Sequence, residues 1–175
     1  MLHARVIPCL LLRNGGLVKT VKFEQPTYVG DPINAVRIFN DKEVDELVFL
    51  DIGATAAGRG PNFELLADIA SEAFMPFGYG GGVTTIEQVK RLFSLGVEKV
   101  IINTAAASNP TLISQAAALA GSSSVVASID ARRGWLGKYS VLVGAGRRDI
   151  MRDPIEHARS EEQDRKSTRL NSSHR

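Results

Sequence analysis

Two carboxylates stand at the downstream ends of apolar runs, where acid–base chemistry would place them. Asp130 closes Val125–Ile129, and Asp51 closes Leu47–Leu50. A carboxylate carried from an apolar run into a partly dry site has a raised pKa and can exchange a proton near neutral pH. The plainer reading of each is a side chain that caps its own loop. Two other run ends are rich in backbone donors. Gly80-Gly81-Gly82 follows the run at Pro76–Gly78, and Asn103-Thr104 follows Val100–Ile102, each ahead of a helix-like segment. Glycine lets backbone N–H groups come close to an anion, and a helix N-terminus favours negative charge. Gly81, Gly82, Asn103 and Thr104 together therefore read as a phosphate site; for the glycines alone, a tight turn is the alternative.

The upstream ends of the same runs carry Arg5, Glu46 and Lys99. Spacing alone reads these as solvated flanking charges. His3, His157, His174 and Cys9 show no metal-ligand spacing, so neither a metal nor a cofactor is expected. Trp135 and Tyr139 read equally as a lid or as packing. The first run, IPCLLLRNGG (residues 7–16), has Leu11 where it meets its turn, a position at which a catalytic rim would carry an acid or a base.

The elements that position these residues repeat. Short β-branched runs at Val6–Leu12, Leu47–Leu50, Pro76–Gly78, Val100–Ile102 and Val125–Ile129 alternate with helical patterns. Asp31-Pro32 starts one helix, running to about Val44, with Asp as N-cap and Pro in the first turn. Asn62 precedes FELLADIASEAF. Thr84-Thr85 opens IEQVKRLFSL, with Glu87 and Gln88 placed for a capping box. Asn109-Pro110 opens TLISQAAALA, closed by Gly121. Strand and helix in alternation predict βαβ units and a parallel sheet covered on both faces. Asn14-Gly15-Gly16 predicts a hairpin after the first strand, and residues 134–149 predict another after the fifth. The unit starting near Val125 thus echoes the one starting near Val6. Five strands fall short of the eight of a closed (β/α)8 barrel, so the expected fold is α/β: the N-terminal part of such a barrel, incomplete.

The chain of 175 residues, 44% hydrophobic and 23% charged, suits one soluble domain. Its net charge of +2 is owed to residues 165–175, which hold four cations and no acid. The rest is weakly acidic, which argues against a nucleic-acid footprint. No apolar run approaches a membrane span. A single cysteine sets a cytoplasmic location as the default. Asp153-Pro154 starts a last helix, but from residue 159 the composition turns polar and aperiodic. R-S-E-E (159–162) is a translation of a common sequencing-adapter string. Residues 1–158 are therefore read as partial barrel and 159–175 as a non-native or disordered tail, from adapter readthrough, with residues 160–175 expected to lack packed contacts.

RVIPCL, NGGLVK, GDP, DELVFLDI, YGGGV, EKVIINTAA and the strand ending at Asp130 resemble the cyclase subunit of imidazole glycerol phosphate synthase, from residue 1 to about 158. The resemblance implies a (β/α)8 barrel of two similar halves. It implies a glutaminase subunit docked at the barrel bottom and a bis-phosphorylated ribulosyl aminoimidazole carboxamide substrate. Ammonia from the glutaminase would attack that substrate, giving imidazole glycerol phosphate and an aminoimidazole carboxamide ribotide. By the same resemblance Gly82, Asn103 and Thr104 form the first phosphate site. Arg5, Glu46 and Lys99 form the ammonia gate, Lys19 lies in the loop over the substrate, and Asp130 is one of two catalytic acids. The other acid would stand at Leu11. LLLRNGGLVKTVKF further resembles a branch of paralogues associated with surface-polysaccharide genes, which implies ammonia supply to a separate sugar amidotransferase.

Overall fold

The computed structural model describes residues 4–21, 24–135, 137–144 and 146–171, with side chains excepted at Glu24 and at 165–171. His3 and His174 lie outside the described residues. The chain opens with β1 (Cys9–Arg13), β2 (Gly16–Val21) and β3 (Glu24–Gly30). α1 (Pro32–Asp41), β4 (Leu47–Asp51), α2 (Phe63–Glu72), β5 (Phe77–Gly80), α3 (Ile86–Ser94) and β6 (Lys99–Ile102) then alternate. α4 (Thr104–Ser108), α5 (Thr111–Ala120) and β7 (Val125–Ala127) follow, then β8 (Asp130–Arg133), β9 (Tyr139–Val143), β10 (Arg148–Asp149) and α6 (Pro154–Asn171).

One sheet has the order β3-β2-β1-β4-β5-β6-β7, and β8–β10 form a second, small sheet. The five strands β1, β4, β5, β6 and β7 are parallel and adjacent in chain order. They are the five expected runs, and their order is that of part of a β/α barrel. Among the described residues the sheet is open, with β3 and β7 at its two ends.

Local chemistry explains the elements. Asn14 and Gly15 both have positive φ, 52° and 80°, which is the two-residue turn whose twist suits a hairpin; it sets Leu11 opposite Val18. Asp31 and Asn62 accept from the backbone N–H groups of Asn34 and Leu65. Thr85 and Gln88 close the capping box, and Gly121 ends α5 at a φ of 88°. α1 stops at Asp41, short of Val44, because Glu43 turns the chain at positive φ. The fifth run also stops early: β7 ends at Ala127, and Asp130 begins β8.

Alternation along the strands sorts the two faces. Leu12, Leu47, Phe49, Phe77, Tyr79, Val100, Ile102 and Val125 point to the helices and are buried with Leu66, Ile69, Val89, Leu92, Leu112 and Ile113. On the other face Leu11, Val48, Leu50 and Val126 are half-buried, and Ile7 and Cys9 are exposed. A partly exposed apolar face and the outer edge of β7, unpaired among the described residues, favour association with like surfaces. The 175-residue chain should therefore sediment faster than a monomer at micromolar concentration. A single monomeric boundary with a cooperative melt would contradict this.

The expectation of a tail without packed contacts is corrected at Glu161. Asp153 Oδ1 caps α6, accepting from Ile155 and Glu156, and the helix runs through residue 159 without a break. Arg, Glu, Gln and Lys are good helix formers, so a polar composition does not prevent it. Glu161 is buried beside His157, with His157 Nε2 3.6 Å from Glu161 Oε1. Burial pushes the His157 pKa down and the Glu161 pKa up, so both tend to neutrality.

Candidate functional site

At the downstream end of the parallel strands, Asp130 is half-buried where the chain leaves β7 for the small sheet. The bond from Ser128 N–H to the Ile102 carbonyl, at 2.8 Å, keeps this segment beside the end of β6. There the Asn103 side chain comes close enough to Asp130 to act on its carboxyl. Burial raises the Asp130 pKa, and the polar Asn103 side chain nearby works against that rise. A carboxyl whose pKa is higher folded than unfolded binds more protons in the native state. Stability then falls as pH climbs from the unfolded to the folded pKa, and the cost persists above that window. Asp130→Asn should accordingly melt higher than the parent at neutral pH and converge with it in acid, in paired melting curves.

Thr104 lies next to Asn103 and is bonded to it and to the small-sheet turn. Its hydroxyl accepts from Gly144 N–H at 2.9 Å and donates to Asn103 Oδ1 at 3.3 Å. The predicted phosphate residues Asn103 and Thr104 are thus brought to Asp130, on the first turn of the short helix α4.

Gly81 and Gly82 form the turn after β5, at φ values of 128° and 66°. The turn is pressed against the loop that follows β4. A Cβ on Gly81 would lie 2.5 Å from the Asp51 carbonyl oxygen, and one on Gly82 would strike the Arg59 carbonyl oxygen. Tyr79 adds a bond from its hydroxyl to the Gly81 carbonyl, at 3.1 Å. These glycines are therefore required by packing as well as by any anion. Gly82→Ala should cost about 1–3 kcal/mol, read as a lower denaturation midpoint with an unchanged slope.

Asp51 stands at the end of β4, paired with Leu12 and on the same, helix-facing side. Its carboxylate Oδ1 accepts from Gly53 and Ala54 N–H at 2.9 and 3.0 Å. That is the geometry of a loop cap. Leu11 lies on the opposite face, level with Leu50. Lys19 is exposed on β2, opposite Thr27.

The upstream ends hold a tighter cluster. Glu46, 1% exposed, receives Lys99 Nζ at 2.8 Å on both carboxylate oxygens and Arg5 Nη2 at 2.8 Å on Oε2. The reading of these three as separate solvated charges is corrected. Strand alternation explains it: Lys99 pairs with Gly78, which pairs with Val48, so all lie on the concave face. The absent side chain of Gly78 leaves room between Glu46 and Lys99: a Cβ there would already touch Lys99. Burial of Glu46 is offset by its two cations. Spacing did not reveal this meeting, because it depends on the register of three strands far apart in sequence. Tyr79, Arg59 and Gly144 were also missed; only Tyr79 carried a signal, standing directly before the glycines.

Among the described residues no group of three or more His, Cys, Asp or Glu could hold a metal ion. No described helix is long and apolar enough to cross a membrane.

Parallel strands with helical crossovers, polar groups gathered at their downstream ends and an ion cluster at the other make an α/β protein whose sheet is consistent with part of a β/α barrel. The family model described as "Histidine biosynthesis protein" matches residues 5–170, and the chain belongs to that family. It is 57% identical over 163 residues to a Pseudomonas aeruginosa protein provisionally named imidazole glycerol phosphate synthase subunit hisF2, covering 93% of this chain and 65% of that protein. A Leptospira interrogans protein provisionally named as an imidazole glycerol phosphate synthase subunit HisF is 44% identical over 169 residues, 92% of this chain and 66% of its own length. Imidazole glycerol phosphate synthase subunit HisF of Streptococcus sanguinis is 40% identical over 156 residues, 89% of this chain and 62% of that protein. The chain thus spans a little under two thirds of the length of these curated relatives.

Proposed function

We propose that the chain is part of a cyclase subunit of imidazole glycerol phosphate synthase, which takes ammonia from a partner glutaminase and acts on a phosphorylated small molecule in histidine biosynthesis. The observation that carries this reading is the Arg5–Glu46–Lys99 cluster at one end of the strands, with Asp130, Asn103 and Thr104 at the other. In this reading the ion cluster gates ammonia arriving from a glutaminase docked at that end. Gly81, Gly82, Asn103 and Thr104 hold one substrate phosphate, Lys19 lies over the substrate, and Asp130 serves as general acid or base. Residues 1–158 supply this part of the barrel. Residues 159–175 are taken as non-native; His157 Nδ1 and Glu161 Oε2, buried without a hydrogen-bond partner, are the kind of defect native helices seldom keep.

Leu11 favours a second reading within the same family. Leucine cannot transfer a proton, so a gate kept and an acid lost would suit a paralogue supplying ammonia to a sugar amidotransferase of surface-polysaccharide synthesis. A third reading, a non-catalytic scaffold, needs no ligand at all. The deciding experiment measures glutamine hydrolysis by the partner glutaminase with the whole protein, with and without the phosphorylated substrate. Activation that needs the substrate, with imidazole glycerol phosphate as product, supports the cyclase. Activation without any ligand would favour the scaffold, and coupled hydrolysis without cyclised product the ammonia supplier.

A further inference from the structure

We infer that Tyr79 is a positioning residue for the anion site after β5: its hydroxyl holds the Gly81 carbonyl, and through that peptide it aims the Gly82 N–H at the substrate phosphate. The inference deepens the cyclase reading and rests on its assignment of Gly82 to a phosphate.

A glycine turn is a poor anion cradle unless something fixes its peptides. Gly81 and Gly82 have φ values of 128° and 66°, and with no Cβ on either side the peptide between them can turn over at little steric cost. The Asp51 main chain lies against Gly81, and the Arg59 carbonyl lies against Gly82. These contacts place the two Cα atoms, but they do not select which way the peptide between them faces. Tyr79 does. Its hydroxyl lies 3.1 Å from the Gly81 carbonyl oxygen. A carbonyl can only accept, so the phenol is the donor. The ring is buried in the core on the helix-facing side of β5, which leaves the hydroxyl little freedom to follow a peptide that turns. In a trans peptide the C=O and the next N–H point to opposite sides. With the Gly81 carbonyl held toward Tyr79, the Gly82 N–H faces away from it, and so away from the helix layer.

The donor is also kept in its protonated form. Burial and then the Asp51 charge raise the phenol pKa, with Arg59 opposing them. The hydroxyl therefore persists wherever a phosphate carries its charge. A group that never meets the phosphate thus decides whether Gly82 can. Without it the peptide is free to turn, the competent orientation is only partly populated, and the apparent affinity falls by that fraction.

The test is magic-angle-spinning NMR of the sedimented 175-residue chain titrated with inorganic phosphate, which reads amides whatever the assembly state. Glycine labelled with ¹³C at the carbonyl and ¹⁵N at the amide gives one-bond correlations only for the amides of Gly16, Gly81 and Gly82, the glycines that follow a glycine. In the parent, phosphate should move the Gly82 amide saturably and leave Gly16 unmoved. Tyr79→Phe keeps the buried ring and removes the donor. It should shift the Gly81 carbonyl before any phosphate is added, and raise the phosphate midpoint at Gly82 about two- to tenfold, the usual worth of one hydrogen bond. Phe77→Leu loosens the core at the upstream end of the same strand and should leave that midpoint unmoved. An unchanged midpoint in Tyr79→Phe would overturn the inference, as would an equal rise in Phe77→Leu or an equal response at Gly16. The cyclase reading fails separately. A Gly82 amide that ignores phosphate in the parent removes the phosphate assignment and the inference with it. A midpoint raised in Tyr79→Phe, in a whole protein that never cyclises substrate, leaves the inference standing and sinks the cyclase.

Discussion

Leu11→Asp in the whole protein should raise ammonia-dependent cyclisation of the histidine-pathway substrate, and the parent should run at least about a hundredfold below a relative with acids at both positions. The size follows from the usual worth of one general acid or base, about 10²–10⁴ in rate. The place is suitable. Leu11 is on the concave face near the end of β1, and Asp130 follows β7, with β4, β5 and β6 between them in the sheet. Leu50 and Val18 are paired with Leu11, so a new carboxylate there would meet apolar neighbours and have a raised pKa, as an acid working near neutrality needs. Recovery should be partial, because those neighbours suit a leucine. The measurement is cyclisation at saturating substrate for both forms. A parent that already matches a two-acid relative would make the β1 acid dispensable and remove the main support for the ammonia-supplying paralogue.

How far the sequence reached depended on whether a feature was local. Helix starts at Asp31, Asn62 and Thr85 and the Asn14-Gly15 turn were legible because each rests on contacts within a few residues. The five parallel strands were legible as apolar runs, since strands covered by helices need continuous hydrophobicity. Boundaries that depend on neighbours were not. β7 ends at Ala127 because Asp130 is drawn into pairing with Leu142, a partner twelve residues on. The site divides in the same way. Asn103, Thr104 and Asp130 were each visible as strand-end residues, but their meeting requires β6, β7 and the small sheet to be in place. Asp51 and Asp130 both read as strand-end acids in sequence, Asp130 gaining weight from the longer apolar run before it. Only strand parity separates them: Asp51 falls on the helix side and bonds its own loop, Asp130 beside Asn103. The tail shows the converse error. Polar composition suggested no packing, yet a helix once capped at Asp153 continues through any residues that tolerate it.

Lys99→Met should both destabilise the fold and, in the whole protein with its glutaminase, uncouple glutamine hydrolysis from ammonia use. Glu46 is almost wholly buried, and Lys99, with a side chain 22% exposed, bonds both of its carboxylate oxygens. Arg5 is the other partner, but its side chain is 54% exposed and touches one oxygen. Removing one member of a buried pair typically costs about 3–5 kcal/mol, because the remaining charge stays desolvated. Arg5 retains part of the compensation, so the loss here should fall at the low end, about 3 kcal/mol. Replacing Arg5 should cost far less, since water already screens it. The double replacement Glu46→Gln with Lys99→Met removes both charges of the close pair and should restore much of the stability lost in Lys99→Met alone. Coupling behaves differently, and this separates a gate from a structural ion pair. If the cluster gates ammonia, the double variant recovers stability but still releases ammonia to solvent, measured as free ammonia per glutamine hydrolysed. If the cluster only holds three strand ends together, coupling returns together with stability, and the gate assignment falls.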